Sequence, residues 1–288
     1  MNIPKIEKTY LETISKEENI LNYFGNWAYN FEKYKVSFLN AEPFEHVVID
    51  NFLEESYAEK MYDLFPNIDS NWHEYKNPIE VKYAYDNINN LPIELKKFFY
   101  YLSSPIIIDI ISNITEISNL EYDEYLHGAG LHSHSRYGRL NIHLDYEKHP
   151  ITGKERRINI ILFMSKNWNT NWNGANELWN KDVTKCVAKT EIKFNRAIIF
   201  KTNDISWHGL PEKIMCPENV FRKSLAYYYV SPLNAEKSEK DYRKKAKFIK
   251  RPEDLFDENI QKLYEIRPQR LITKEDMEKI MPDWSLEM

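Results

Sequence analysis

Only two cysteines, Cys186 and Cys216, occur in 288 residues. Two thiols cannot build a disulfide framework, which points to a reducing compartment. Positive charge is also short: 39 Lys and Arg against 44 Asp and Glu leave a net charge of −5. That balance argues against a nucleic-acid binder that works by neutralising phosphates. No apolar run approaches the ~20 residues that span a bilayer. The longest stretches, 105–114 and 158–164, are interrupted by Asp109 or too short. The opening Met1-Asn2-Ile3-Pro4-Lys5 lacks the apolar core of a secretory signal. The expectation is a cytoplasmic protein with neither a nucleic-acid nor a membrane partner.

Glycine is scarce too, seven in all, and Gly128, Gly130, Gly138, Gly153, Gly174 and Gly209 fall within 128–209. Turns concentrated in mid-chain predict a compact β-rich core flanked by helices. What is plentiful agrees: 42% apolar residues suffice for a core, and 14% aromatics favour sheet. No internal repeat is present. The length suits one domain over 1–288, with helical and strand support in 1–120, a β core in 121–232 and a helical extension in 233–288.

The first forty residues read as peripheral helix, and 44–49 as a short strand. Asp50-Asn51 can cap a helix carrying Leu53, Tyr57, Met61, Leu64 and Phe65 at helical spacing. Ile79, Val81, Tyr83 and Tyr85 alternate as in a half-buried strand. Helices are predicted over 95–102 and behind Ser104-Pro105. Short strands follow at 140–145, 158–164, 177–179, 192–194, 197–201 and 222–231. The run Arg243-Lys244-Lys245-Ala246-Lys247 sits among Glu236, Glu239 and Asp241 and reads as the solvated face of a helix.

His143-Leu144-Asp145 is the chain's one His-x-Asp. On a strand, residues two apart share a face, so Asn141, His143 and Asp145 should project together, with Leu140, Ile142 and Leu144 opposite. Imidazole and carboxylate then offer two ligands to a divalent metal, and His208, in Ser206-Trp207-His208-Gly209, offers a third. Two histidines and a carboxylate on one face match the triad of non-haem Fe(II) oxygenases. On the last strand Arg222, Ser224, Ala226 and Tyr228 share a face. An arginine fork beside a hydroxyl inside a barrel suits a carboxylate. An arginine paired with a structural acid is the plainer reading.

With these residues in view the sequence resembles the prolyl-4-hydroxylase-like branch of the Fe(II)- and 2-oxoglutarate-dependent oxygenases. The likeness runs from Pro43-Phe44-Glu45-His46 to Pro232. It is carried by Gly128-Ala129-Gly130-Leu131-His132, Leu140-Asn141-Ile142-His143-Leu144-Asp145 and Arg156-Arg157-Ile158-Asn159-Ile160-Ile161. Asn195-Arg196-Ala197-Ile198-Ile199-Phe200, Trp207-His208-Gly209 and Arg222-Lys223-Ser224-Leu225-Ala226 complete it. The resemblance implies a mainly β, α+β protein with a double-stranded β-helix (jelly-roll) core. It also implies iron on His143, Asp145 and His208, and 2-oxoglutarate on Arg222, with O2 as oxidant. Ser224 and Asn159 are expected beside the cosubstrate. Similar proteins often carry Gly-Gly-Glu-Leu-x-Leu-Trp where this chain has Asn173-Gly174-Ala175-Asn176-Glu177-Leu178-Trp179. That departure falls on the substrate side.

The resulting expectation is a dioxygenase that hydroxylates or oxidises a cytosolic small molecule, such as an amino acid or nucleotide-linked sugar. Prolyl-type side-chain hydroxylation is an alternative, as is a non-redox jelly-roll such as a cupin-like isomerase or carbohydrate-binding module. Substrate should enter between 77–89 and 127–139. The second stretch, read as a mouth loop, holds His132, His134, Arg136 and Arg139, which suggests an anionic substrate. Pairing of those arginines with Asp123, Glu124 or Glu147 is the competing reading.

Overall fold

The computed structural model describes residues 4–287. Its strands are β1 (His46–Asp50), β2 (His73–Lys76), β3 (Glu80–Tyr85), β4 (Glu121–Tyr122), β5 (Gly130–His134), β6 (Arg139–Leu144) and β7 (Glu155–Phe163). They continue as β8 (Asn176–Trp179), β9 (Cys186–Thr190), β10 (Arg196–Lys201), β11 (His208–Leu210), β12 (Arg222–Ser231) and β13 (Lys247–Phe248). Helices α1 (Lys8–Glu17), α2 (Glu32–Leu39), α3 (Glu55–Asp63), α4 (Ile93–Leu102) and α5 (Pro105–Thr115) precede the core; α6 (Glu258–Ile266) and α7 (Lys274–Ile280) follow it. The strands pair antiparallel in the order β1-β10-β7-β12-β5-β3-β6-β11-β8-β9, and curl into a nearly closed barrel of the double-stranded β-helix kind.

Alternation sorts the two faces of the longest strands. Ile158, Ile160, Leu162, Leu225, Tyr227 and Tyr229 point outward into the main hydrophobic core, which also holds Phe98, Phe99, Ile107 and Ile111 of α4 and α5. The tyrosine hydroxyls dock there as well: Tyr227 Oη meets Ser103 Oγ at 2.7 Å, and Tyr229 Oη donates to the Leu102 carbonyl at 2.7 Å. The opposite faces, with Asn159, Ile161, Arg222, Ser224, Ala226 and Tyr228, line an interior cavity. One helical layer thus fixes the outside of β7 and β12 and leaves their insides for chemistry.

Several expectations are corrected. Residues 192–194 form no strand; the partner of β8 is β9, 186–190. The α3 cap is Glu54, whose side chain accepts from Tyr57 N–H, rather than Asp50-Asn51. The basic run 243–247 is not helical. Its end, β13, pairs with β6, placing Lys247 opposite Leu144 and Phe248 opposite His143. His132 and His134 lie on β5 rather than in a loop. An edge ladder and a strand in mid-sheet both depend on distant partners, which local charge and turn patterns do not display.

Candidate active site

His143 on β6 and His208 on β11 are direct cross-strand neighbours. The next pairing, Leu210 with Leu140, is shifted by one residue, so a bulge interrupts β6. Strict alternation therefore fails there. Leu140 borders the cavity along with His143 and Asp145, while Asn141 turns its Nδ2 to Tyr264 Oη at 2.9 Å. The close approach explains Gly209: a Cβ there would lie 2.7 Å from the Leu140 carbonyl oxygen.

The three side chains converge. His143, Asp145 and His208 are buried, and their ligand atoms lie within 4.8 Å of one another. His143 Nε2 is 3.6 Å from Asp145 Oδ1, and His208 Nε2 is 3.8 Å from Oδ2. Those gaps exceed hydrogen bonds but suit neighbouring ligands around one ion. Both rings are oriented alike: His143 Nδ1 lies 2.9 Å from the Asn141 carbonyl oxygen, and His208 Nδ1 lies 2.8 Å from that of Ser206. Each Nδ1 then donates, which leaves the Nε2 lone pair facing the centre. Asn159 Nδ2 donates to Asp145 Oδ2 at 3.1 Å. Burial and the neighbouring His143 push His208 down to about 4. Burial works to raise the Asp145 carboxyl, but His143, His208 and Arg156 hold it far below the carboxylate range. At neutral pH His208 is a neutral imidazole and Asp145 a carboxylate, the protonation states in which these groups bind a divalent metal.

Arg222 lies on the same cavity, 2% exposed. Its Nε donates to the Gly174 carbonyl at 2.8 Å, and Nη1 reaches Ser224 Oγ at 3.4 Å. No carboxylate faces it among the described residues, and burial alone lowers it to about 9. A buried guanidinium that no protein carboxylate faces suits a carboxylate ligand. His134 opposes Arg222 and His132 opposes Ser224 across the β5–β12 ladder. Both histidines line the cavity and, through burial and then the positive charges of Arg222 and Lys82, stay neutral. Neither ring nitrogen of His134 has a partner.

The two remaining arginines are not brought to this cavity. Arg136 is directed to the carbonyl oxygens of Met215 and Cys216, at 3.3 and 3.0 Å, and Arg139 is buried on β6 outside the lining. Two of the suggested acids are engaged elsewhere: Asp123 with His149, and Glu147 with Lys237 and Arg243. Glu80 and Lys82, the polar members of β3, border the cavity instead. So does Arg156, held between the rings of Tyr146 and Tyr228 and 4.0 Å from Asp145. Residues after 232 contribute as well. Phe248 stacks on His143 with centroids 5.0 Å apart. Arg243 Nε donates to the Asp145 carbonyl at 2.6 Å, and Arg267 Nε to Glu80 at 2.8 Å.

Residues 129–230 match the family model of the 2OG-Fe(II) oxygenase superfamily. No curated protein matches the sequence. Among solved structures, the chain is similar to a prolyl hydroxylase from Trichoplax adhaerens in complex with a hypoxia-inducible-factor peptide fragment. That likeness has a TM-score of 0.52 at 15% identity, over 76% of this chain and 96% of that one. A prolyl 4-hydroxylase from Phytophthora capsici matches with TM-score 0.50 at 17% identity, over 93% and 86%. The non-haem α-ketoglutarate-dependent carbocyclase SnoK of nogalamycin biosynthesis matches with TM-score 0.50 at 10% identity, over 77% and 87%. At these identities the structural likeness concerns the fold. The family match makes residues 129–230 a 2-oxoglutarate- and Fe(II)-dependent oxygenase core, in line with the likeness to the prolyl-4-hydroxylase branch. That family implies Fe(II), 2-oxoglutarate and O2, and the His143–Asp145–His208 group is able to hold the iron.

Proposed function

We propose that the protein hydroxylates a small molecule, with His143, Asp145 and His208 holding Fe(II) and Arg222, assisted by Ser224, gripping the distal carboxylate of 2-oxoglutarate. The observation that carries this reading is a buried three-ligand cluster sharing one cavity with a buried, unpaired arginine. When bound, iron and cosubstrate supply the oxidation: O2 is consumed, 2-oxoglutarate leaves as succinate and CO2, and a substrate C–H becomes C–OH.

The chain's own residues bind and orient. The carbonyls of Asn141 and Ser206 fix the imidazoles, and Asn159 holds Asp145 in one orientation. The fork of Arg222 fixes one end of the cosubstrate, which directs its oxo acid end towards the triad. Phe248 covers one face of His143 and keeps water from it.

Anaerobic addition of Fe(II) and 2-oxoglutarate should produce a visible charge-transfer band. Once air is admitted, succinate release should rise with a metabolite extract and not with proline-containing peptides. A protein that binds neither iron nor 2-oxoglutarate ends this reading, and stimulation by the peptides alone replaces the small molecule with a prolyl side chain.

A further inference from the structure

The cavity carries more positive charge than iron and cosubstrate use. Lys82, Arg156, Arg222, Lys244, Lys245 and Arg267 border it, against the acids Glu80, Asp86 and Asp145. The whole chain has a net charge of −5, so this excess is local. Three cations are engaged: Arg267 with Glu80, Arg156 between two tyrosine rings beside Asp145, and Arg222 in the cosubstrate role. Of the acids, Glu80 and Asp145 are likewise engaged, and burial raises the Asp86 carboxyl above its ordinary range. Lys82, Lys244 and Lys245 remain, with no ion-pair partner within 4.0 Å among the described residues.

Lys82 enters from β3, on the face it shares with Glu80 and Ala84, both of which also line the cavity. Burial lowers its amine from the ordinary lysine value, while Glu80 and Asp145 pull the other way. Lys82 is therefore within electrostatic reach of the metal carboxylate. Its Nζ sits 4.9 Å from the Tyr75 ring centroid, a weak substitute for a counter-ion. A partly desolvated ammonium without an anion is costly to keep unless a ligand completes it. Lys244 and Lys245 are exposed and come from a different segment. Their placement is fixed on both sides, by Arg243 on the Asp145 carbonyl and by the β13–β6 ladder.

We propose that the substrate is a small anion whose phosphate or carboxylate group is gripped by Lys82 on the cavity wall and by Lys244 and Lys245 at the mouth. This deepens the oxygenase reading and rests on it. The cavity, about 460 Å³, has room for cosubstrate and a metabolite-sized molecule together. Anchoring the anionic end at Lys82 leaves the neighbouring carbon atoms to face the triad, so the lysines select which C–H is presented.

The test uses protein saturated with Fe(II) and 2-oxoglutarate under nitrogen, where no turnover occurs. Inorganic phosphate is titrated calorimetrically in one arm and acetate in the other; the tighter arm identifies the group. Lys82→Met should weaken anion binding by about 10-fold or more, and Lys82→Arg should retain most of it. The paired Lys244→Ser, Lys245→Ser variant, on an exposed segment, should lose a smaller factor. Arg136→Ala, which removes a cation outside the lining, should change nothing. Cosubstrate affinity should be the same in wild type and Lys82→Met, which separates loss of the anion site from loss of the fold. Equal anion affinity in wild type and Lys82→Met, or no saturable binding in either arm, overturns the proposal. So does loss of 2-oxoglutarate binding in Lys82→Met, since that lysine would then serve the cosubstrate. Failure of wild type to bind 2-oxoglutarate removes the oxygenase reading itself, and the proposal with it.

Discussion

Two backbone carbonyls, those of Asn141 and Ser206, decide which nitrogens of His143 and His208 face the cavity. The carboxylate between them depends on a side chain, Asn159. Removing an outer partner of this kind costs ~10–100-fold in metal affinity. Asn159→Ala should therefore bind Fe(II) or Mn(II) about 10-fold more weakly in a chelator competition; an unchanged constant would show that Asp145 is held without it. Arg222→Ala should weaken 2-oxoglutarate by ~10–100-fold, the scale of one charge-assisted contact. Arg222→Lys should recover part of that loss, because an ammonium cannot reproduce the planar fork. Cosubstrate affinity unaffected by Arg222→Ala would move the carboxylate site elsewhere. The clustering of His143, Asp145 and His208 was legible in the sequence because His-x-Asp on a strand and a later histidine fix residue type and face together. Lys82 was not. Period-two alternation in β3 shows that two faces differ, but not that the polar face meets a cavity rather than water.

At the scale of elements, the segment after Ser231 holds the barrel through three kinds of contact. One is the β13–β6 ladder, another the Asn141–Tyr264 hydrogen bond, and the third the Glu80–Arg267 ion pair from β3 to the end of α6. Both side chains of that pair are buried, 2% and 9% exposed. Breaking a buried pair from one side strands a charge, at a cost of ~3–5 kcal/mol. Arg267→Met should lower the stability measured by chemical denaturation by about that much, and Glu80→Met with Arg267→Met should recover most of it. A double variant as unstable as the single one would mean that α6 docks through packing alone. Sequence reasoning placed this extension poorly for a physical reason. Mixed charge at 236–247 suits a solvated helix as well as an extended strap, and only the free edge of β6, distant in sequence, selects the strap. Residues 186–190 were missed likewise, since Lys185 and Lys189 flank too few apolar residues to mark a strand against its neighbour β8.

For the molecule as a whole, buried neutral imidazoles set the response to acid. Burial lowers His46, His132, His134 and His127, the last to about 4. An unfolded chain takes up these protons near pH 6.5 and the native one does not. Their contribution to stability is therefore complete above about pH 6.5 and is lost as pH falls towards 4. Metal-free protein should melt at least ~5 °C lower at pH 5 than at pH 7 by thermal denaturation. His134→Phe should flatten part of that slope, and a wild-type melting temperature constant across the range would contradict the buried neutral states. The barrel architecture was readable from glycine placement, aromatic content and strand spacing; its closure by the final segment was not. That closure has an evolutionary consequence. The residues proposed to hold metal and cosubstrate all precede Ser231, whereas two of the three lysines proposed to select the substrate belong to a strap that follows it in the chain and docks on β6. Drift or recombination confined to the strap could exchange one clientele of substrates for another while the oxidation machinery is inherited intact.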